Sequence, residues 1–400
     1  MEVSQLYVYP IKSLRPTPLT KAVVTRQGFP YDRHFMLLKV RRKEDGTETL
    51  QPMQVPRFPE MSLFLTALQL PTEDQAGKII VTYRPPGSNG DDDSQIKTLE
   101  VPLQPDTQSL KKLDIVLHSS PTEGYDMGSY YNDWFSDCFG YPVVLAYLGG
   151  NSRKVLGSFS PSLSSSHRKQ QTQYPLISTR SLLIILSMTL LLNLVGFTHL
   201  FDNAMRALVS GVSIPLLFSI ALWGWQFKLR SILSFSPWAN TQDDEERITF
   251  ADCAAYLVVS ETSLHNVSAR IAGDEEMDIT KFRPNIVIAG AETAFEEDFW
   301  AELTVGKNQV RLLLTANCLR CQSINVDFAT GKMGTGDSGS VLKKLMKDRR
   351  VDAGAKYSPV FGRYSFLAQD SDHESIQVGD EVVLSKIASK RTVFDWPSLS

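Results

Sequence analysis

The chain has 400 residues, of which 42% are hydrophobic and 21% charged, and its formal net charge is −3 at pH 7. This length exceeds one ordinary domain, so we expect two or three domains with apolar cores. The small net charge, without a long basic run, argues against a nucleic-acid-binding surface. Four cysteines are too few for a disulfide scaffold and favour a reducing compartment.

The first region, residues 1–148, is predicted to be rich in β-strands. Short apolar or alternating runs are separated by clusters of Gly, Pro and Asp, without long helical periodicity, which is typical of a barrel or sandwich. The predicted strands are Val3–Val8, Leu19–Val24, His34–Val40, Met61–Leu70 and Lys78–Tyr83. Because Met1–Pro10 alternates like a strand, we do not expect a signal peptide there.

The second region, residues 149–247, is a linker that contains two apolar segments. A polar, serine-rich stretch precedes the runs Leu182–Phe201 and Ala207–Trp225. Each run has about the length of a membrane-spanning helix, roughly 20 residues, and neither has the polar stripe of a soluble helix. Basic residues lie outside the pair at both ends, so the positive-inside rule places both flanking regions in the cytosol.

A transmembrane hairpin is therefore the prediction for this insert. Three alternatives stay open on the sequence alone. They are a helical hairpin buried in a soluble protein, a pair of helices lying in the membrane interface, and a gene-model artefact such as a retained intron.

The third region, residues 248–390, has a mixed pattern with strands and short helices. The predicted strands are Ala254–Val259, Ile286–Ala289 and Val310–Leu314, and Phe366–Leu384 closes a β region. The predicted helices are Ser260–Ile271, which a serine cap opens, and the short basic segment Val341–Asp348.

Two cysteines lie three residues apart in the segment TANCLRCQSINVDFATG, after the strand Val310–Leu314. Arg320 lies between them, and a guanidinium beside a thiol favours the thiolate, which attacks electrophiles or binds soft metals. Because Ser323–Phe328 alternates like a strand, we predict that Cys318 and Cys321 lie on a loop between strands. The alternatives are a redox dithiol, which would begin a helix, and half of a zinc site, which would need two further ligands.

Several motifs, taken in order, resemble those of one known family. They are YPIKS at Tyr9–Ser13, DRHF at Asp32–Phe35, SETSLHNVSARI at Ser260–Ile271, KFRPNIVIAG at Lys281–Gly290, the cysteine segment and SPVFGRY at Ser358–Tyr364. Together they resemble the MOSC superfamily with its N-terminal β-barrel partner domain, and in particular its amidoxime-reducing molybdenum enzymes. The resemblance implies a mixed, mainly β (α+β) fold, with a β-barrel-like domain at 1–148 and a MOSC β-barrel with short helices at 248–390.

The resemblance also implies a molybdenum cofactor bound between the two domains. Its metal would be held by a pterin dithiolene, oxo groups and one protein thiolate, and Cys321 matches that catalytic ligand. Cys318 matches a second cysteine that does not bind the metal. The residues that the resemblance assigns to the pterin, its phosphate or the site are Lys12, Ser13, Arg33, Ser260, Ser263, Arg270, Arg283, Asn285 and Arg320.

Local sequence supports some of these assignments. Pro284 restricts the backbone between Arg283 and Asn285 at the head of a predicted strand. Ser263 and Arg270 are spaced to share one face of the predicted helix. Guanidinium groups and small polar side chains are suited to a phosphate-bearing ligand.

Other assignments have a plain alternative. Lys12 and Arg33 are equally typical of surface charges on strands. Asp327 is a catalytic candidate for protonation, whereas an aspartate shortly before Gly331 is also typical of a turn cap.

The resemblance implies reduction of the N–O bond of N-hydroxylated small molecules, such as amidoximes, N-hydroxyguanidines and hydroxylamines. The sequence has no nicotinamide- or flavin-binding motif. Electrons are therefore expected from a separate donor, which the resemblance gives as a cytochrome b5 and its NADH-cytochrome b5 reductase.

Two alternatives come from other functional classes. MOSC domains also occur in molybdenum cofactor sulfurases, in which the cysteine would carry a persulfide, and the chain could be a non-enzymatic membrane adaptor. Animal enzymes of the family carry their membrane segment at the N-terminus. We therefore expect the apolar insert to replace that anchor and hold the site towards the cytosol, with the mitochondrial outer membrane implied by the resemblance.

Overall fold

The computed structural model describes residues 1–87, 95–161, 245–272, 276–397 and 399. The two apolar runs, Leu182–Phe201 and Ala207–Trp225, lie outside the described residues. Within the described ranges, no helix is both long enough and apolar enough to cross a membrane.

Strands dominate the first region, as the sequence predicts. β9 shows why, because its side chains alternate between buried and exposed, with one face on a core and one on solvent. The elements are β1 (Glu2–Val8), β2 (Thr17–Leu19), β3 (Lys21–Val23), β4 (Phe35–Arg42), β5 (Glu48–Pro52), β6 (Phe64–Gln69), β7 (Lys78–Tyr83), β8 (Lys97–Pro102), β9 (Lys111–Leu117), β10 (Ser120–Asp126), α1 (Ser129–Phe139), β11 (Val143–Tyr147) and β12 (Arg153–Lys154).

The described part of the C-terminal region is also mainly β, with two short α-helices. Its elements are β13 (Arg247–Ile248), β14 (Tyr256–Ser260), α2 (Glu261–Ser268), β15 (Ile286–Ala289), β16 (Trp300–Val305), β17 (Val310–Leu319), β18 (Val326–Asp327), β19 (Lys332–Met333), α3 (Val341–Leu345), β20 (Val360–Leu367), β21 (Ser375–Gln377) and β22 (Val382–Ile387). All eight residues of β20 are buried, because this strand lies inside the largest sheet. The predicted mainly β class with short helices is confirmed.

One local prediction was wrong. We expected an extended segment after Cys321, but Gln322–Asn325 forms a 3₁₀ turn. Only Val326–Asp327 continues as a strand, paired with β19. The apolar residues Ile324 and Val326 are both buried, so the alternating pattern reflects burial of a turn as well as of a strand.

The largest sheet contains strands from both ends of the chain, in the order β2-β1-β15-β14-β20-β17-β16-β22. β1 pairs with β15, and its other edge meets the segment before β22. There the amide of Val3 donates to the Asp380 carbonyl (2.9 Å), and the amide of Val382 donates to the Met1 carbonyl (2.8 Å). The first strand therefore closes the C-terminal sheet into a barrel, and the sheet crosses the domain boundary that the sequence suggested.

The rest of the first region forms its own core. A five-stranded sheet (β5-β4-β11-β10-β9) and a three-stranded sheet (β6-β7-β8) enclose it. The rings of Phe35, Phe64 and Phe135 are fully buried there, and Phe135 anchors α1. The loops that follow β1 and precede β4 lie between this core and the barrel, and they carry the first part of the candidate site.

Candidate functional site

A cleft of about 270 Å³ lies where these loops meet the end of β17. Six of the residues predicted from the sequence line it, namely Lys12, Ser13, Arg33, Arg283, Arg320 and Cys321. A smaller cavity of about 80 Å³ shares four of them and is also lined by Asn285 and Cys318. The structure therefore brings together residues from both ends of the sequence.

Cys321 lies in the cleft just after β17 ends, and its Sγ is 3.3 Å from the Ser323 hydroxyl. All four cysteines are described and none forms a disulfide. Cys253 and Cys318 are buried and Cys138 is half-buried, so Cys321 is the exposed thiol of the chain. It is the cysteine that can contact a ligand in the cleft.

Arg320 is held by main-chain carbonyl groups. Its guanidinium donates to the Phe361 carbonyl, from Nε at 2.8 Å and from Nη2 at 2.6 Å, and to the Phe282 carbonyl at 2.6 Å. Burial raises the pKa of the Cys318 thiol, and the nearby charge of Arg320 offsets this only in part. Arg320 thus ties main-chain segments together beneath the cleft, and the structure gives it a bracing role.

This brace depends on a glycine. Gly362 has φ of +79°, and a Cβ there would lie 2.7 Å from Val259 Cγ1 and 3.4 Å from Arg320 Nη2. Glycine adopts this backbone conformation without strain and leaves room for the guanidinium. The motif SPVFGRY therefore contributes space to the site, which its sequence did not reveal.

Two arginines pack on one tyrosine at the side of the cleft. The Cζ atoms of Arg283 and Arg33 lie 4.4 Å and 4.7 Å from the centre of the Tyr9 ring. Arg283 Nη1 donates to the Leu14 carbonyl (2.9 Å), but its Nη2 is buried and has no hydrogen-bond partner among the described residues. Burial lowers the pKa of Arg283 to about 10. This nitrogen is an open donor for an anionic ligand.

Arg33 is more fully engaged. Its guanidinium donates to the Asp32 carboxylate, to Asn285 Oδ1 at 3.1 Å and to the Arg283 carbonyl at 3.2 Å. Arg33 and Arg283 also have positive φ, +55° and +57°, and so does Ser13, at +71°. Non-glycine residues rarely adopt this conformation, and such strain concentrates at functional sites.

A charged cluster that the sequence did not predict lies beside these arginines. Lys12 is buried, and its ammonium group donates to the carboxylate of Asp252, whose Oδ1 lies 3.2 Å from His118 Nε2. Although burial raises the pKa of Asp252, the charges of Lys12 and His118 hold it well below its usual range. Burial lowers the pKa of Lys12. Asp252 and His118 are 134 residues apart and have no motif spacing, so no sequence pattern marks them.

Ser260 and Ser263 do not line the cleft. The Ser263 hydroxyl donates to Glu297 Oε2 and accepts from the amide of Phe295, both at 2.7 Å. Ser260 precedes α2 as predicted, but its side chain makes no capping hydrogen bond, and its buried Oγ has no partner in the described ranges. The predicted cofactor-binding face of this helix is therefore used for packing inside the barrel region.

Arg270 and Asp327 also lie away from the cleft lining. Arg270 pairs with the exposed carboxylate of Asp348 at 2.6 Å. Asp327 accepts from the amide of Ala329 (2.9 Å) and from the Thr330 hydroxyl (2.8 Å), and these bonds lower its pKa. The geometry fits the turn-capping alternative for Asp327 and a surface ion pair for Arg270.

Two family models match the chain. The MOSC N-terminal beta barrel domain matches residues 1–142, and the MOSC domain matches residues 245–383. The chain is a MOSC-domain protein. Both matched ranges of this MOSC protein contribute to the cleft, Lys12 and Arg33 from the first and Arg283 and Cys321 from the second.

Characterised relatives come from two groups. Mitochondrial amidoxime reducing component 2 of Macaca fascicularis is 34% identical over 146 residues, and the corresponding component 1 of Homo sapiens is 33% identical over 144 residues. These alignments cover 36% and 35% of this chain, and each spans 40% of the relative. Molybdenum cofactor sulfurase of Homo sapiens is 24% identical over 349 residues, which are 87% of this chain and 29% of that protein.

Proposed function

We propose that this MOSC protein is a molybdenum-cofactor-dependent reductase of N-hydroxylated compounds. One observation carries the proposal. Cys321, whose thiol is exposed, and Arg283, whose buried Nη2 has no partner among the described residues, line the same cleft. A single anionic ligand that combines a soft metal with a phosphate would satisfy both groups, because thiolates bind soft metals and guanidinium groups bind phosphate.

The charge of the cleft fits such a ligand. Lys12, Arg33, Arg283 and Arg320 bring four cationic groups to the lining, against the carboxylate of Asp252 in the lining and that of Asp32 bonded to Arg33. Buried charges are costly unless they are paired. A bound phosphate would pair with the remaining charge, so in this proposal Arg283 holds the phosphate end and Cys321 holds the metal.

The reaction consumes one N-hydroxy group, two electrons and two protons, and it releases the reduced nitrogen compound and one water. When bound, the cofactor would supply the metal and the two-electron redox chemistry for cleavage of the N–O bond. The electrons come from a separate carrier protein, for which the family resemblance suggests the cytochrome b5 system. In this proposal the residues of the chain orient the substrate and deliver the protons.

The cluster of Asp252, Lys12 and His118 is suited to deliver those protons. Because the pKa of Asp252 is held low, its carboxylate stays ionised and acts as the acceptor that orients its two neighbours. A proton is then held at Lys12 Nζ, and both Lys12 and His118 line the cleft. His118 is only partly buried, so its ring also contacts solvent.

Sulfur transfer is the second candidate function. The observation in its favour is that the alignment with molybdenum cofactor sulfurase covers 87% of the chain, much more than the alignments with the amidoxime reducing components. In that case Cys321 Sγ would carry a persulfide, and the cationic lining would bind the cofactor that receives the sulfur.

The test compares Cys321→Ser with the wild type, both produced in a host that makes the cofactor. We expect Cys321→Ser to lower bound molybdenum and turnover of an amidoxime by about 100-fold or more, because the metal loses its protein ligand. Cys138→Ser is the matched control, since that thiol is half-buried and does not line the cleft.

Two results would separate the candidates. Wild-type protein that binds no molybdenum and reduces no N-hydroxylated compound contradicts the reductase. A persulfide on Cys321, detected by mass spectrometry in protein without reductase activity, supports sulfur transfer instead.

A further inference from the structure

The cleft has an apolar wall that the family match does not cover. The MOSC match ends at residue 383, yet Phe394 and Leu399 line the cleft. Val55 and Pro56 from the first region also line it. These four apolar residues share the lining with four cationic residues and a thiol, so the cleft offers apolar as well as charged contacts to a ligand.

Residues 392–397 and 399, here called the C-terminal strap, are attached to the barrel region by specific bonds. The amide of Phe394 donates to Asp352 Oδ1 at 2.9 Å, and the hydroxyl of Thr392 accepts from Arg363 Nη1 at 2.7 Å. A side chain at residue 354 would clash with the main chain of Phe394. Gly354 therefore leaves the room in which the strap packs. The position of Phe394 is therefore built into the fold.

The same strap is attached to the first region. Trp396 is fully buried, and its Nε1 donates to the carbonyl of His118 at 2.8 Å. Asp395 Oδ1 accepts from the amide of Ser158 at 2.9 Å, and the rings of Phe394 and Trp396 pack on Phe159. His118 lines the cleft and contacts Asp252, so this bond joins the strap directly to the cleft lining.

Two aliphatic residues of the strap have different surroundings. Val393 is 53% exposed and does not line the cleft. Leu399 lines it and is half-buried, and its amide donates to the Trp396 carbonyl at 3.3 Å. A change at Leu399 therefore alters the cleft, whereas the same change at Val393 alters only the surface.

We propose that the C-terminal strap determines substrate specificity, with Phe394 and Leu399 in contact with the apolar part of the substrate. This inference rests on the proposed reductase function. It assigns the substrate class as N-hydroxylated compounds that carry an aromatic or bulky aliphatic group, in preference to hydroxylamine itself. The physical reason is that apolar surface buried against these side chains favours binding of the larger substrate.

The first test uses Leu399→Ala, with Val393→Ala as the control. The measured quantity is the ratio of kcat/KM for benzamidoxime to kcat/KM for hydroxylamine. We expect Leu399→Ala to lower this ratio about tenfold, mainly through KM for benzamidoxime, because the substrate loses an apolar contact. Val393→Ala should leave the ratio unchanged. An unchanged ratio in Leu399→Ala, or an equal fall in both variants, would overturn the proposal.

A second measurement does not need reductase activity. Cys321 in cofactor-free protein is alkylated with iodoacetamide, which is small, and with a bulky pyrene maleimide, in a Cys138→Ser background. We expect Leu399→Ala to raise the rate at which the bulky reagent alkylates Cys321, and Leu399→Trp to lower it. The rate with iodoacetamide should change little in both variants. If the alkylation shows this pattern but the protein reduces no N-hydroxylated compound, Leu399 limits access to the cleft and the proposed reductase function is contradicted. If the protein is a reductase but alkylation does not depend on reagent size, the reductase function is supported and the role of the strap is contradicted.

Discussion

Two groups of charged residues in this molecule differ in how their charge is balanced. In the Asp298 network, formed by Asp298, Arg349 and Arg391, the carboxylate accepts two bonds from Arg349 Nη2, at 2.7 and 2.9 Å, and one from Arg391 Nε at 2.8 Å. In the cleft, Arg283 has a buried Nη2 that none of the described residues contacts. The charges of the Asp298 network are paired with one another, whereas the cleft keeps one buried guanidinium nitrogen, Arg283 Nη2, without a partner among the described residues.

This difference separates arginines that stabilise the fold from arginines that bind a ligand. A paired network needs no further partner, whereas an open donor in a cleft can bind an anion. The backbone agrees, because Arg349 follows α3 with its amide bonded to the Leu345 carbonyl (2.8 Å), while Arg283 has positive φ. The following variants test whether the two groups behave differently, from the largest expected effect to the smallest.

Arg349→Ala should destabilise the cofactor-free protein by about 3–5 kcal/mol, because it leaves the fully buried Asp298 with a single partner. Urea denaturation measures the free energy of unfolding. Arg350→Ala is the control, since that neighbour is exposed and should change stability by about 0.5 kcal/mol or less. A loss in Arg349→Ala as small as in the control would contradict the stabilising role of the network.

Glu297 adds a pH dependence beside this network. Burial raises its pKa from 4.5 to about 7, and its Oε1 has no partner in the described structure. Because the folded protein holds this proton more tightly, the contribution to stability is complete below pH 4.5 and is lost as the pH rises through about 7. The loss is on the order of 3 kcal/mol.

Glu297→Gln should remove this dependence, because the amide does not titrate. The free energy of unfolding, measured at pH 5 and pH 8, should then fall less between the two than in the wild type. Glu292→Gln, at an exposed position nearby, should keep the wild-type slope. Equal slopes in all three proteins would show that Glu297 is not the titrating group.

Arg283→Leu should weaken cofactor binding more than it lowers stability, the opposite of what is expected for Arg349→Ala. The free energy of unfolding of cofactor-free protein should change by about 1 kcal/mol or less, because the guanidinium is only partly paired. The affinity for the molybdenum cofactor should fall about 10–100-fold, measured as molybdenum retained after dialysis. Arg283→Lys, which keeps the charge, should lose less. A large loss of stability with full cofactor retention would place Arg283 with the structural arginines.

Arg270→Ala should have the smallest effect. Its ion pair with Asp348 is at the surface, and such pairs contribute about 1 kcal/mol or less. Cofactor retention should be unchanged, because Arg270 does not line the cleft. A clear loss of molybdenum would restore the cofactor-binding role that the sequence predicts.

Local sequence predicted individual elements well. The strands Lys78–Tyr83 and Ile286–Ala289 have the predicted bounds, because turn-forming residues flank short apolar runs. The helix predicted over Ser260–Ile271 exists as Glu261–Ser268. Pairing between distant strands could not be predicted, because no local pattern encodes the contact of Glu2–Val8 with β15.

The site was predictable only where motifs carry it. Lys12 and Cys321 line the cleft as expected. Asp252 was missed because an isolated aspartate has no distinguishing spacing. The orientation of Ser263 was missed because its partner, Glu297, is 34 residues downstream, and helical spacing shows which residues share a face but not what that face contacts.

The position of β1 in the barrel has a consequence for how the protein is made. This strand leaves the ribosome long before the Asp380 and Val382 groups that it bonds to. The barrel therefore cannot close until residue 382 has emerged, and folding depends on a contact of very high sequence separation. A fragment that begins at residue 245 would lack this strand and expose an open sheet edge, which is a template for aggregation.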